Sequence, residues 1–131
     1  MPFTIALPIA DRRASFDFYR QALRLNAVGP VADDGVPEPL AFDLVDGVQL
    51  MLIPADGFAW VIGEHVVTER GQTECLLDVA AHGQPEVDDL VDRVRSAGGR
   101  VLEDPQSKPW GYCALFADPD GHLWTTTAPL E

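Results

Sequence analysis

Positive charge is scarce in this chain. Nine Lys and Arg residues stand against 21 Asp and Glu, a formal net charge of −12. A phosphate backbone or an anionic lipid surface would be repelled, so neither nucleic acid nor membrane is an expected partner. Cysteine is scarce too. The two cysteines, Cys75 and Cys113, are too few for a disulfide scaffold. Both fall in strand-like runs and read as buried free thiols in a reducing cytoplasm. Long apolar runs are missing. The opening MPFTIALPIADRR lacks a basic leader and is broken by Pro8, so neither a signal peptide nor a membrane span is expected. No Gly-rich phosphate loop occurs, because Gly98-Gly99 follows a helix instead of opening one, and no G-x-S-x-G motif is present.

What is present is a core-forming chain of 131 residues, 47% hydrophobic, a size that suits one compact domain. Phe3, Ile5 and Leu7 alternate with Thr4 and Ala6, predicting a strand over Phe3 to Pro8. Asp11 is placed to cap a helix in which Ser15, Phe18, Tyr19, Ala22 and Leu23 share one face. Leu25 to Ala32 is a weakly patterned strand. Leu40 to Val45 and Val48 to Pro54 are strands joined by Asp46-Gly47, a strong hairpin signal. The second of these is apolar nearly throughout, which predicts cover on both faces. Ala55 to Gln72 interrupts the pattern with Phe58, Trp60, Val61, Ile62, His65 and Val66. It is too apolar for a solvated linker and is expected to lie over a partner chain or a pocket mouth.

The same order then returns. Thr73 to Val79 is a strand. Pro85 sits in the first turn of a helix whose apolar stripe is Val87, Leu90, Val91, Val94 and Ala97. Gly98-Gly99 ends that helix. Arg100 to Leu102 is a strand, Asp104 to Pro109 a loop. Tyr112 to Phe116 and His122 to Thr127 form a last hairpin around Asp118-Pro119-Asp120-Gly121. The order β-α-β-β-β thus occurs twice.

These residues resemble the vicinal oxygen chelate superfamily of glyoxalase I, extradiol dioxygenases and bleomycin-resistance proteins. Asp11, Ser15, Phe18 and Tyr19 look like its opening helix. Ala97-Gly98-Gly99 matches its helix end, and Phe116 to Trp124 (FADPDGHLW) looks like its final hairpin. The resemblance covers almost the whole chain and is nearest to a glyoxalase-like branch. It implies an α+β fold of two tandem βαβββ modules (module one 1–55, linker 56–72, module two 73–131), forming a curled mixed sheet around a cavity.

Metal-binding members of that superfamily carry four ligands on four strands. By motif, those positions fall on Thr4, near Met51, near Glu74 and on Thr125. Stable sites want imidazole, thiolate or carboxylate, so no metal and no cofactor is expected here. His65, His82 and His122 come from separate elements without chelating spacing and read as structural or solvated.

Glu74 and Asp78 lie four apart and would share one strand face. They are the candidates for a general base or a ligand-binding anion, no catalytic residue being assigned otherwise. Trp60, Trp110 and Tyr112 are candidates for a pocket lining, whereas Trp124 reads as core because Thr125 takes the inward position. The expected ligand-binding set is therefore Thr4, Met51, Trp60, Glu74, Asp78, Trp110, Tyr112 and Thr125. The expectation is a metal-independent homodimer holding a small, partly apolar or cationic ligand between the modules. The alternative is a lyase, isomerase or dioxygenase with an altered metal or acid–base site.

Overall fold

The computed structural model describes residues 2–130. The chain is α+β, and its two tandem modules share one topology. In the first, β1 (Phe3–Ile9), α1 (Arg12–Gln21), β2 (Asn26–Val28), β3 (Leu40–Val45) and β4 (Val48–Pro54) build a four-stranded sheet of order β1-β4-β3-β2. In the second, β5 (Leu76–Ala80), α3 (Gln84–Ser96), β6 (Arg100–Lys108), β7 (Gly111–Ala117) and β8 (Leu123–Ala128) repeat it as β5-β8-β7-β6. A short helix, α2 (Ala55–Val61), lies between them. In each sheet one pair is parallel, β1 with β4 and β5 with β8, and the rest are antiparallel.

The α1 helix starts where Asp11, in extended backbone, accepts from the Arg13 and Ala14 N–H groups. It ends at Gln21 with Ala22 as the C-cap, and Arg24, at a φ of 56°, keeps the helical run from resuming. Its buried face carries Ser15, Phe16, Phe18 and Tyr19. These pack with Phe42, Leu50 and Leu52 from the first sheet, Leu90 and Val94 from α3, and Phe116 and Trp124 from the second sheet. One core therefore spans both modules. Each large side chain closed off here contributes on the order of 2 kcal/mol.

The structure departs from sequence expectation in several places. The weak second strand shrinks to Asn26–Val28. The following loop is clamped by Arg12, which donates to Asp34 at 2.8 Å and to the Val36 and Pro37 carbonyls. Strand β4 is covered on one face only: Leu50 and Leu52 are fully buried while Met51 and Ile53 are half-buried. Strand β6 runs through Pro105 to Lys108, tolerated because its pairing with β7 shifts register on either side of Glu103. Strand β5 begins only at Leu76, so Glu74 and Cys75 precede it, and Cys75 is exposed while Cys113 is buried.

Candidate functional site

The two motifs that carry the family resemblance meet. Tyr19 of α1 donates its hydroxyl proton to Asp118 Oδ2 at 2.6 Å, and Trp124 Nε1 donates to the Tyr19 oxygen at 3.1 Å. Asp118 Oδ1 accepts the Asp120 and His122 backbone N–H groups, both at 2.9 Å. Asp120 reaches the other module, accepting from Ala10 N at 2.8 Å and from the Ser15 hydroxyl at 3.3 Å. The His122 ring donates through Nε2 to the Pro8 carbonyl, which fixes its tautomer. Burial lifts the Tyr19 phenol well above its ordinary range, and the Asp118 charge adds to this. Burial also raises the Asp118 carboxyl, outweighing the lowering by His122 and by the Tyr19 bond. The last turn is thus a latch between modules.

Beside this latch lies a cleft of about 470 Å³. Its walls come from the end of β1, from α2 and the segment after it, from the approach to β5 and from the latch turn. Phe58, Ile62, Leu77 and Leu123 supply apolar surface, and Glu69, Arg70, Glu74 and His122 supply polar groups. Neither Glu69 nor Glu74 forms an ion pair among the described residues.

A second polar group lies on the uncovered face of the second sheet. Asp78 on β5 stands opposite Thr125 on β8. Its Oδ1 accepts from the Thr125 hydroxyl at 2.7 Å and the Thr127 hydroxyl at 2.8 Å. Strand alternation turns Trp124 and Thr126 into the core and leaves Thr125 and Thr127 on the open face. Lys108 pairs with Glu103 at 2.7 Å and sits 5.6 Å from the Trp110 ring centre.

The candidate ligand residues therefore divide. Asp78 and Thr125 form one cluster. Thr4, exposed, stands opposite Gln49, and Met51 stands opposite Ala6, so these two share one face of the first sheet, two residues apart along it. Glu74 lines the cleft but does not share a strand with Asp78, because β5 begins two residues after it. Trp60 and Trp110 are largely exposed. Tyr112 is corrected: its ring packs on the helical side of β7 with Val87 and Val91, and its hydroxyl donates to Asp88 of α3 at 2.7 Å. The sequence places Ile62 in a segment expected over a partner chain or a pocket mouth, but does not single out Arg70, Leu77 or Leu123 as cleft lining. The unusual apolarity of the central segment was the available signal for Ile62, and Arg70 had none.

The positions that the family resemblance marks for metal ligands are Thr4, Met51, Glu74 and Thr125. That set supplies one carboxylate and no imidazole, and does not fit a divalent transition metal. Among the described residues no group of three or more His, Cys, Asp or Glu side chains is arranged to hold a metal ion. No helix among them is long and apolar enough to cross a membrane.

The duplicated βαβββ fold places the chain in the vicinal oxygen chelate superfamily. The model of the glyoxalase-like domain matches residues 4–127, and the chain belongs to that family. Among solved structures it is similar to a glyoxalase-related enzyme from Fulvimarina pelagi, with 26% identity, 98% of this chain and 87% of that one covered, and a TM-score of 0.83. It is also similar to hypothetical protein SA1046 from S. aureus, with 27% identity, 98% and 91% covered, and a TM-score of 0.79. TnmS3, an antibiotic binding protein from Streptomyces sp. CB03234, shares the fold at 22% identity, 99% and 96% covered, and a TM-score of 0.62. No curated protein matches the sequence.

Proposed function

We propose that this protein binds a small, partly apolar, cationic ligand in the cleft between its modules, without a metal centre. The observation that carries this reading is the meeting, in one cleft, of the apolar Phe58, Ile62, Leu77 and Leu123 with the unpaired carboxylates Glu69 and Glu74. Apolar lining supplies affinity, and a few placed polar groups fix orientation. Among the described residues Arg70 is the one Lys or Arg in the lining, and two acids without an ion pair outnumber it. Asp120 adds little, since both its oxygens are bonded across the module boundary. TnmS3 supports the reading as an antibiotic binding protein of the same fold.

The test is titration with a planar aromatic cation such as acriflavine, followed by fluorescence polarisation. Saturable binding that Glu74→Gln weakens about fivefold or more is expected, equivalent to ~1 kcal/mol. Binding that is absent, or equal in the variant, would overturn the reading.

The same proposal includes a homodimer. Trp60, Val61 and Val66 leave an apolar strip exposed on α2 and the segment after it, and strips of this kind mark contact surfaces. Trp60→Ala is expected to shift the sedimentation profile toward the monomer, and an unchanged profile would count against a dimer built on this strip.

An acid–base enzyme is the second reading. It rests on Asp78, whose Oδ1 is held by two threonine hydroxyls while no hydrogen bond engages Oδ2 among the described residues.

A further inference from the structure

Basic residues are few in this protein, and most are committed. Arg12, Arg95 and Lys108 form ion pairs. Arg13 and Arg93 donate to the Asp34 and Ala22 carbonyls, and Arg20 lies over the Phe16 ring. Of the nine basic side chains, three remain without such a partner among the described residues: Arg24, Arg70 and Arg100. Two of those three, Arg70 and Arg100, line a second cleft of about 480 Å³, which adjoins the first through Arg70, Gly71, Gln72, Thr73, Gly121 and Leu123.

The other lining groups suit an anion. Gln72 adds a polar side chain, the Thr73 hydroxyl is already donated to the Cys75 carbonyl, and Gly71 and Gly98 leave open wall. The single carboxylate is Asp118, which is buried and whose oxygens are taken by Tyr19, Asp120 and His122. The nearby end of α3 is closed: Ala97 N bonds the Arg93 and Val94 carbonyls, and Gly99 N bonds Val94 as well. Its carbonyl charge is therefore partly neutralised on the side facing the cleft. The Arg70 stem crosses the latch turn closely enough that a Cβ on Gly121 would come within 3.2 Å of its Cγ.

We infer that this second cleft is a binding site for a small oxyanion, a carboxylate or a phosphate group, held between the Arg70 and Arg100 guanidinium groups. Planar guanidinium forks match both anions through paired N–H donors. A chain of net charge −12 repels anions in general, so saturable anion binding here reports a local site. The inference does not depend on the cationic ligand, because Arg100 lines this cleft and not the one bearing Glu74.

The experiment is a titration of the full chain with inorganic phosphate, and separately with succinate, at fixed ionic strength set by chloride. Backbone amide resonances of Gly71, Gly98 and Gly99 provide the readout. Saturable shifts with either anion are expected, and which of the two saturates first identifies the preferred group. Arg100→Gln should weaken binding about tenfold, because it removes a charge-assisted hydrogen-bond donor. Arg100→Lys should weaken it less, while acriflavine binding stays the same in both variants. Shifts that never saturate with either anion, or that persist unchanged in Arg100→Gln, would overturn the inference.

Discussion

The two modules share strand order but differ at the tips of their last hairpins. In module one the β3–β4 turn is Asp46-Gly47, exposed, and its one cross-element bond is the Gly47 carbonyl to Phe3 N at 2.6 Å. In module two the β7–β8 turn carries Asp118, Asp120 and His122, and each of these side chains reaches the other module. A duplicated fold needs only one copy of a joining device. The second hairpin supplies it, and the first is left as a plain turn.

The largest test of that asymmetry compares aspartates. Asp118→Ala leaves the Tyr19 hydroxyl and the N–H groups of Asp120 and His122 without their acceptor in a buried setting. Unpaired buried donors are costly, so a loss of about 3 kcal/mol is expected from the denaturant midpoint at constant slope. Asp46→Ala, at the matching turn of module one, should cost ~0.5 kcal/mol or less. Equal losses would show that the latch does not join the modules.

Alkaline pH sharpens the same contrast. The Tyr19 phenol is raised above its ordinary value of 10.0 by burial and then by Asp118. A raised folded pKa means the stabilisation is present below pH 10 and is lost as pH climbs toward the folded value. The unfolded chain releases a proton there that the native chain retains. Wild type should therefore lose stability above pH 10 by up to ~1.4 kcal/mol per pH unit, and Tyr19→Phe should flatten that limb. Tyr112 is also raised, first through its hydrogen bond to Asp88. It lies near the surface, so Tyr112→Phe should change the slope far less. Parallel curves for wild type and Tyr19→Phe would contradict the buried pairing.

These contrasts also show what the chain order revealed and what it hid. The repeat was legible because apolar alternation, the Asp11 cap and the glycine stops are local signals. β3 and β4 accordingly fall where their patterns end. The position of Trp124 in the core and Thr125 on the open face followed from strand alternation alone. What failed was whatever depended on strand limits or on distant partners. Glu74 was grouped with Asp78 because nothing in sequence marks the start of β5 at Leu76. Tyr112 looked suited to a pocket until α3 brought Asp88 to its hydroxyl. Pro105 suggested a loop, yet an edge strand with shifted pairing accommodates it. The convergence of Arg70 with Arg100 depends on how the central segment folds back, which no local pattern encodes.

The smallest expected effect concerns the open faces of the two sheets. In module one, Ala6 stands opposite Met51; in module two, the pair of strands related by topology places Asp78 opposite Thr125. Asp78→Ala makes the second face resemble the first. Asp78 is exposed, so the Thr125 and Thr127 hydroxyls it frees can turn to water. The expected cost is therefore only ~0.5 kcal/mol, read from the same denaturant midpoints. A cost of several kcal/mol would mean that the threonine clamp holds β5 to β8 and serves the fold. A small cost leaves the clamp without a structural reason and makes Asp78→Ala a clean probe. Any reaction or binding lost in that variant then belongs to the open face of the second sheet, and any that persists belongs to the clefts beside the latch.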